Sequence, residues 1–414
     1  MPWTPPERAS WVDRLNVLGE SLGDGGRALA PLDEETLLRS AREATGLDDF
    51  GDDWFREPLR IFLLALEEEA RLNLIGRLLA RLETQRILEN RLRIEDHWKR
   101  HPEVERERIE APLVVTGLGR SGTTFLHDLL ACDPTSRAPT YWEMMYSVPP
   151  PEPSTYDTDP RILAAHREVS LMDEVIPSLP SMQEVGGGLA SECIYLLAHQ
   201  LATDMFVGNF DVPSYMTWTI TTDQKPAYDY HRRLLQLLQS RHRGERWALK
   251  APSHLHNLPL LFATYPDARV VITHRDPLRQ LGSISNLMAT IRWMRSDRVD
   301  YDGIVQSMGL GFKYQLAHMA KLRDDGAVPN EQILDVRYAD LVANPLESVR
   351  GIYGHFGIPF RNDFEERLRE RLASRPRSQR GVHEYSFADT GLDLATERAR
   401  HVKYQERYGV PSEV

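Results

Sequence analysis

Apolar positions recur at helical spacing between Trp54 and Trp98 (Leu59, Phe62, Leu63 and Leu66, then Leu72, Leu74, Leu78, Leu79 and Leu82), set among many Arg and Glu. Few Gly or Pro interrupt this stretch, and strands do not alternate with helices in it. Residues 1–110 therefore read as an N-terminal helical region packed on a later core. The pattern changes at Ala111. Residues 111–116 (Ala-Pro-Leu-Val-Val-Thr) form a short β-branched apolar run, as expected of a buried parallel strand, and helical spacing resumes at Phe125. Helical patterns over 161–175, 190–201 and 227–240 make a helical insert at about 150–245. Strand patterns at 247–250, 268–273 and 333–338 then alternate with helices over 255–265 and from Pro277 onward. That alternation predicts an α/β fold over 111–414, a parallel sheet flanked by helices. The proline-rich segment 148–160 reads as an irregular surface element, either a lid or a stiff connector.

Composition narrows the function. Of 414 residues, 41% are hydrophobic and 27% charged, the balance of an ordered globular chain. Asp and Glu total 61 against 50 Lys and Arg, a net charge of −11 that argues against a general nucleic-acid or anionic-membrane binder. Any anion held by this chain must meet a local cluster of donors. The two cysteines, Cys132 and Cys193, form no CxxC pair, so neither a zinc module nor a disulfide scaffold is expected. His199, His231 and His318 lie in helical patterns without metal-ligand spacing and read as structural; no metal ligands are assigned. The N-terminus lacks a signal-peptide pattern, and the longest uncharged run, 251–266, carries three prolines and cannot span a bilayer; a cytoplasmic location is expected.

The loop after the first strand is Gly117-Leu-Gly119-Arg120-Ser121-Gly122-Thr123-Thr124. It satisfies GxGxxG, the dinucleotide pattern, but that reading leaves Arg120 and the paired threonines without work. It satisfies GxxxxG of the P-loop too, with Thr123 where the Walker lysine belongs. A third reading uses every residue: backbone N–H groups at a helix N-terminus, two hydroxyls and one guanidinium around an anion. A second candidate anion site closes the strand 268–273, where Arg275 leaves the strand end and Ser283 follows in the next helix. Asp276 and Pro277 have the residue types of a helix N-cap and first turn.

Together these sites resemble the PAPS-dependent sulfotransferases, in particular the bacterial branch related to the carbohydrate and tyrosylprotein enzymes. The resemblance covers about residues 111–360 and implies a P-loop-like sulfotransferase core. It implies that Gly119, Arg120, Ser121, Gly122, Thr123 and Thr124 hold the 5′-phosphosulfate of 3′-phosphoadenosine 5′-phosphosulfate, and that Arg275 and Ser283 hold the 3′-phosphate. Tyr338, in Tyr338-Ala-Asp340, is placed near the adenine, and Lys250-Ala-Pro-Ser-His254 matches a Lys-x-Pro-x-His stretch. Arg380 and Gly381 match loosely the family's closing Arg-Gly segment over the 3′-phosphate.

The implied reaction is in-line sulfuryl transfer from PAPS to a hydroxyl of a small-molecule, carbohydrate or lipid acceptor, with Arg120 and the loop N–H groups neutralising the leaving phosphate, Lys250 reaching the transferring sulfuryl group and no metal required. Glu143 is the expected base, with His254 the competitor. Two other classes share the loop: an ATP-dependent nucleotide kinase or phosphoryl transferase, and a non-catalytic nucleotide-binding protein. The segments 205–218 and 288–294, rich in Met and aromatics, are either acceptor-pocket walls or core. The acceptor itself and the oligomeric state are not encoded in any motif.

Overall fold

A computed structural model describes residues 3–374 and 386–414. Five parallel strands form the sheet: β1 (Leu113–Thr116), β2 (Ser136–Arg137), β3 (Arg246–Lys250), β4 (Arg269–His274) and β5 (Ile333–Arg337). Their spatial order is β2-β3-β1-β4-β5. The chain runs outward from β1 to one edge, returns through β3, then crosses to β4. The reversal lies between β1 and β4, and a crevice opens there beyond the strand ends. Four of the strands match the sequence pattern to within two residues. The two-residue β2 has no apolar run to announce it; its pairing with Arg246 and Trp247 defines it.

Side chains of the central strands alternate between two packed faces, as strand geometry requires. Val114, Leu249, Val270 and Ile272 join a cluster with Leu37, Leu59, Phe62, Leu88 and Leu92 of the N-terminal helices. Leu113, Val115, Ala248 and Val271 face Leu126, Leu129, Leu130, Val349 and Ile352 on the other side. One core thus runs continuously from the first hundred residues into the sheet.

The long helical stretch of the N-terminal region resolves into Arg56–Glu68 and Leu74–Arg100, with Arg71 between them in the left-handed region (φ 49°). Asn73 starts the second helix by accepting from Gly76 N–H at 2.8 Å. Within the insert, the expected helix over 190–201 is reduced to Ile194–Leu197 and a single 3-10 turn. Residues before it are drawn into backbone bonds with 139–142: Trp142 N–H to Gly187 O (2.9 Å), Tyr141 N–H to Leu189 O (3.1 Å) and Ser191 N–H to Pro139 O (2.8 Å). Tertiary pairing outcompetes helical periodicity there. In the segment 148–160, the Tyr156 hydroxyl donates to Glu143 and its ring packs on Trp142, so this stretch is pinned as a connector.

The aromatic segments weighed as acceptor-pocket walls are core. Phe206 stacks on Phe62 at 4.0 Å, and the Tyr215 hydroxyl donates to Leu201 O at 2.7 Å. Met288 and Met294 are buried as well.

Two enclosed histidines make the fold sensitive to acid. Burial depresses His127 to about 4, although its ring nitrogen meets Ala248 O at 3.0 Å, and burial depresses His199 to about 3. Between the unfolded value near 6.5 and these folded values, the unfolded chain binds protons that the native chain does not. Stability therefore falls as pH drops through that window, by about 1.4 kcal/mol per pH unit for each histidine. Urea midpoints measured from about pH 7 to about pH 4 should decline accordingly, and His127→Gln should flatten the slope. An unchanged slope in that variant would remove His127 from the account.

Candidate functional site

The turn after β1 is shaped by two glycines. Gly117 has φ +149°, and a Cβ there would lie 2.6 Å from Thr273 O; Gly122 has φ +92°, and a Cβ would lie 2.7 Å from the Tyr338 ring. Any larger residue would clash with the neighbouring strand ends as well as strain the backbone. Arg120 also adopts the left-handed region (φ 69°). The turn delivers the chain to the Thr123–Leu130 helix. The first bond of that helix is Leu126 N–H to Gly122 O at 3.0 Å, so the preceding N–H groups project from its positive end.

Ser121 does not face the crevice. It is fully buried; its hydroxyl donates to Leu118 O at 2.6 Å and shares a 2.7 Å bond with Thr273 Oγ1. Its N–H is taken by Leu118 O as well, at 3.2 Å. The residue read as an anion ligand therefore acts as the internal brace of the turn. Thr123 is buried, whereas Thr124 is exposed and its hydroxyl accepts from Lys250 Nζ at 3.2 Å.

The two expected anion sites converge. Arg120 Nε donates to Ser283 Oγ at 2.9 Å, and Arg275 Nη1 donates to the Arg120 carbonyl at 3.2 Å. Gln280 Nε2 donates to Gly119 O at 3.1 Å, fixing the turn against the Pro277–Arg295 helix. The Arg275 guanidinium lies 4.0 Å above the ring of Tyr338, which flanks Gly122 from the β5 side. Asp276 caps the helix by accepting from Leu278 N–H at 3.0 Å. The same carboxylate takes two bonds from Arg398, at 2.7 and 2.9 Å. Residues from the ends of β1, β3, β4 and β5 thus meet at one side of the sheet. Arg380 and Gly381 lie outside the described residues.

Two carboxylates in this crevice carry no signal in the sequence. Glu413 folds back onto Arg275, with Nη2–Oε2 at 2.7 Å and Nε–Oε1 at 2.9 Å. Glu192 forms an ion pair with Lys250, itself almost fully buried. The segment 187–191 pinned along 139–142 positions Glu192, and the next residue donates its N–H to Lys250 O at 2.8 Å. A helix reading of 190–201 would turn this acid elsewhere, and no residue pattern flags it.

The expected bases are found in other duties. Glu143 is completely buried and closes a capping box: its Oε2 accepts from Thr140 N–H and Thr140 Oγ1, each at 2.9 Å, and from the Tyr156 hydroxyl at 2.9 Å. Its other oxygen pairs with Arg137. A carboxylate so enclosed has no exposed oxygen, and each of its oxygens is held by a structural partner. His254 is also fully buried. Its Nδ1 meets the Tyr228 hydroxyl at 2.8 Å, and burial holds its pKa well below the usual value, so the ring is neutral and turned into the interior.

Comparison with known proteins agrees with this geometry. Residues 112–362 match the Sulfotransferase family. The crystal structure of sulfotransferase STF1 from Mycobacterium tuberculosis H37Rv superposes with a TM-score of 0.79 at 32% identity, covering 90% of this chain and 98% of that one. STF9 from Mycobacterium avium superposes with a TM-score of 0.83 at 25% identity, covering 92% and 97%. Among curated proteins, the omega-hydroxy-beta-dihydromenaquinone-9 sulfotransferase Stf3 of Mycobacterium bovis is 24% identical over 288 residues, 64% of this chain and 67% of the relative. The match spans every strand of the sheet and the segments carrying Arg120, Lys250, Arg275 and Ser283, and the chain belongs to the sulfotransferase family, enzymes that transfer a sulfuryl group.

Proposed function

We propose that this enzyme moves the sulfuryl group of PAPS to a hydroxyl acceptor, with the nucleotide lying across the β1/β4 crevice. The observation that carries this reading is the junction of Arg120, Ser283 and Arg275, which puts donors for two separated oxyanions at one site. The 5′-phosphosulfate would take the free N–H groups of the Gly122–Thr124 turn, the Arg120 fork and Lys250. The 3′-phosphate would take Arg275, in place of Glu413, beside Ser283. Tyr338, next to Gly122 and under Arg275, would border the nucleotide. These residues fit PAPS because the donors are cationic or neutral N–H and O–H groups, and the two acids present sit on the very cations an anion would claim. An ATP-dependent phosphoryl transferase would want a metal-binding acid closing β4; Asp276 there is spent on its cap and on Arg398.

In the reaction, the bond from sulfur to the bridging phosphate oxygen breaks as the acceptor oxygen bonds to sulfur in line. Lys250 and Arg120 stabilise the charge that collects on the leaving phosphate. We assign the acceptor's proton to Glu192. It is a carboxylate at the Lys250–Thr124 junction, and its side chain stays 28% exposed where Glu143 has none. Transfer of Lys250 to the sulfuryl oxygens would release Glu192 to accept that proton. The acceptor class follows the curated relative, whose name gives a hydroxylated quinone. A hydroxyl on a molecule with an apolar part is the corresponding proposal here. No helix among the described residues is long and apolar enough to cross a membrane, and a cytoplasmic location is proposed with it.

Calorimetry with adenosine 3′,5′-bisphosphate tests the donor assignment. Affinity should be the same with and without Mg2+, whereas tight Mg2+-dependent ATP binding would favour a kinase. Arg275→Ala should weaken the bisphosphate roughly 10- to 100-fold, the worth of a charge-assisted bond, and leave adenosine 5′-phosphosulfate nearly untouched. Equal losses for both ligands would undo the 3′-phosphate site.

Glu413→Gln should act in the opposite direction and tighten the bisphosphate by about two- to fivefold, because a part-exposed ion pair no longer competes for Arg275. Unchanged or weaker binding would mean that Glu413 does not compete with the ligand.

For the base, Glu192→Gln should lower turnover by about 10²–10⁴ with bisphosphate binding retained. Glu143→Gln should instead cost about 3–5 kcal/mol of stability through the orphaned Arg137, with turnover of the folded enzyme preserved. The reverse pattern would return the role to Glu143.

A further inference from the structure

Behind Lys250, away from the crevice, three potential ligand side chains meet in the interior. Cys193, His231 and His254 each place one ligand atom within 4.8 Å of the others, and all three are buried. They are separated by 38 and 23 residues along the chain, so local spacing does not group them: the sequence reads His231 as structural, His254 as a candidate base and Cys193 as part of no zinc module. The fold brings them together: His231 comes from the Lys225–Gln239 helix, His254 from the 3-10 turn after β3, and Cys193 from the residue following Glu192.

The two imidazoles are oriented in the same way. His231 Nδ1 meets the Tyr265 hydroxyl at 2.6 Å, and His254 Nδ1 meets the Tyr228 hydroxyl at 2.8 Å. Each Nδ1 is therefore occupied, and each Nε2 is buried without a hydrogen-bond partner. Two orphaned ring nitrogens inside one core are costly unless something binds them. The rings are nearly perpendicular, at 88° with centroids 6.0 Å apart, so they approach a common centre from different directions. An outer hydrogen bond that fixes the ring and leaves the other nitrogen free is the usual arrangement around metal-bound histidine.

We propose that Cys193 Sγ, His231 Nε2 and His254 Nε2 bind one thiophilic d10 cation, Zn2+ or Cu+. The donor set is one thiolate and two imidazoles, which suits both ions and excludes the oxygen-seeking Mg2+ and Ca2+. Metal–ligand bonds of about 2.0–2.3 Å place bound ligand atoms roughly 3.3–4.0 Å apart, so the three side chains need to close by no more than about 1.5 Å on binding. Binding breaks the S–H bond, forms a metal–sulfur bond and releases one proton to solvent. Cu+ with one thiolate leaves the buried site neutral and three-coordinate; Zn2+ leaves one positive charge and a fourth position to fill. Because Cys193 N–H holds Lys250 O at 2.8 Å and His254 lies four residues beyond Lys250, the ion would tie down the floor under Lys250 and Glu192.

The test uses the full chain, unfolded in chelator, refolded without metal, and then offered Zn2+ or Cu+ in separate arms against a chromophoric competitor. One equivalent per chain should be retained through gel filtration in at least one arm, with one proton released. X-ray absorption on that sample should report one sulfur and two imidazole nitrogens. Cys193→Ala should abolish retention, and Cys132→Ser, which alters the other thiol, should not. No retained ion in either arm would overturn the proposal, as would a spectrum without sulfur. Retention that survives Cys193→Ala, or is lost in Cys132→Ser, would overturn it as well. The absorption measurement needs only the wild-type chain, so the proposal stays decidable if Cys193→Ala does not fold.

Discussion

A pair of buried hydroxyls, Ser121 Oγ and Thr273 Oγ1 at 2.7 Å, ties the turn after β1 to the end of β4, and the crevice beyond the strand ends depends on that tie. Gly117 allows the approach, since any side chain there would meet Thr273. With the turn held against β4, Arg120 reaches Ser283 on the helix that β4 feeds, and Arg275 reaches back to the Arg120 carbonyl. Two candidate anion-binding segments about 155 residues apart in the chain are brought together by a few short contacts made at the reversal of strand order.

The charges in this crevice are compensated as they stand. Lys250 has Glu192 and Arg275 has Glu413, so two cations suited to an anionic cofactor are held by carboxylates. Leaving a buried ammonium unpaired would cost several kcal/mol. The acids hold both cations in place through these ion pairs. A chain of net charge −11 thus gathers Arg120, Lys250 and Arg275 locally, each cation of the two ion pairs matched by one acid.

Neighbouring acids differ in use because of what surrounds them. Glu143 and Glu192 each lie directly after one of the two segments, 139–142 and 187–191, that pair with each other. Glu143 follows Thr140 at capping-box spacing and meets Arg137 and Tyr156, so its oxygens are consumed by structure. Glu192 sits where a paired segment, 187–191, ends at Lys250. Thr140 and Glu143 carry the capping-box spacing in the sequence itself, and that spacing is a local reason to read the glutamate as structural. The contact between Glu192 and Lys250 has no local signature at all.

Much of the fold was legible because its cause is local. Unbroken apolar runs on β1, β3 and β4, helical spacing from Leu59 to Leu82, and the glycine turn before Thr123 follow from the preferences of nearby residues, and they appear in the structure nearly as patterned. The family resemblance was readable for the same reason, since the turn and the Arg275–Ser283 spacing are contiguous motifs. What tertiary structure alone decided involves long loops closing: the two-residue β2, the unwinding of 190–193, the burial of the 205–218 aromatics against Phe62, the return of Glu413 to Arg275, and the meeting of Cys193, His231 and His254. Each of those depends on packing between segments tens to hundreds of residues apart, and short-range periodicity carries no information about which distant partner a side chain will meet.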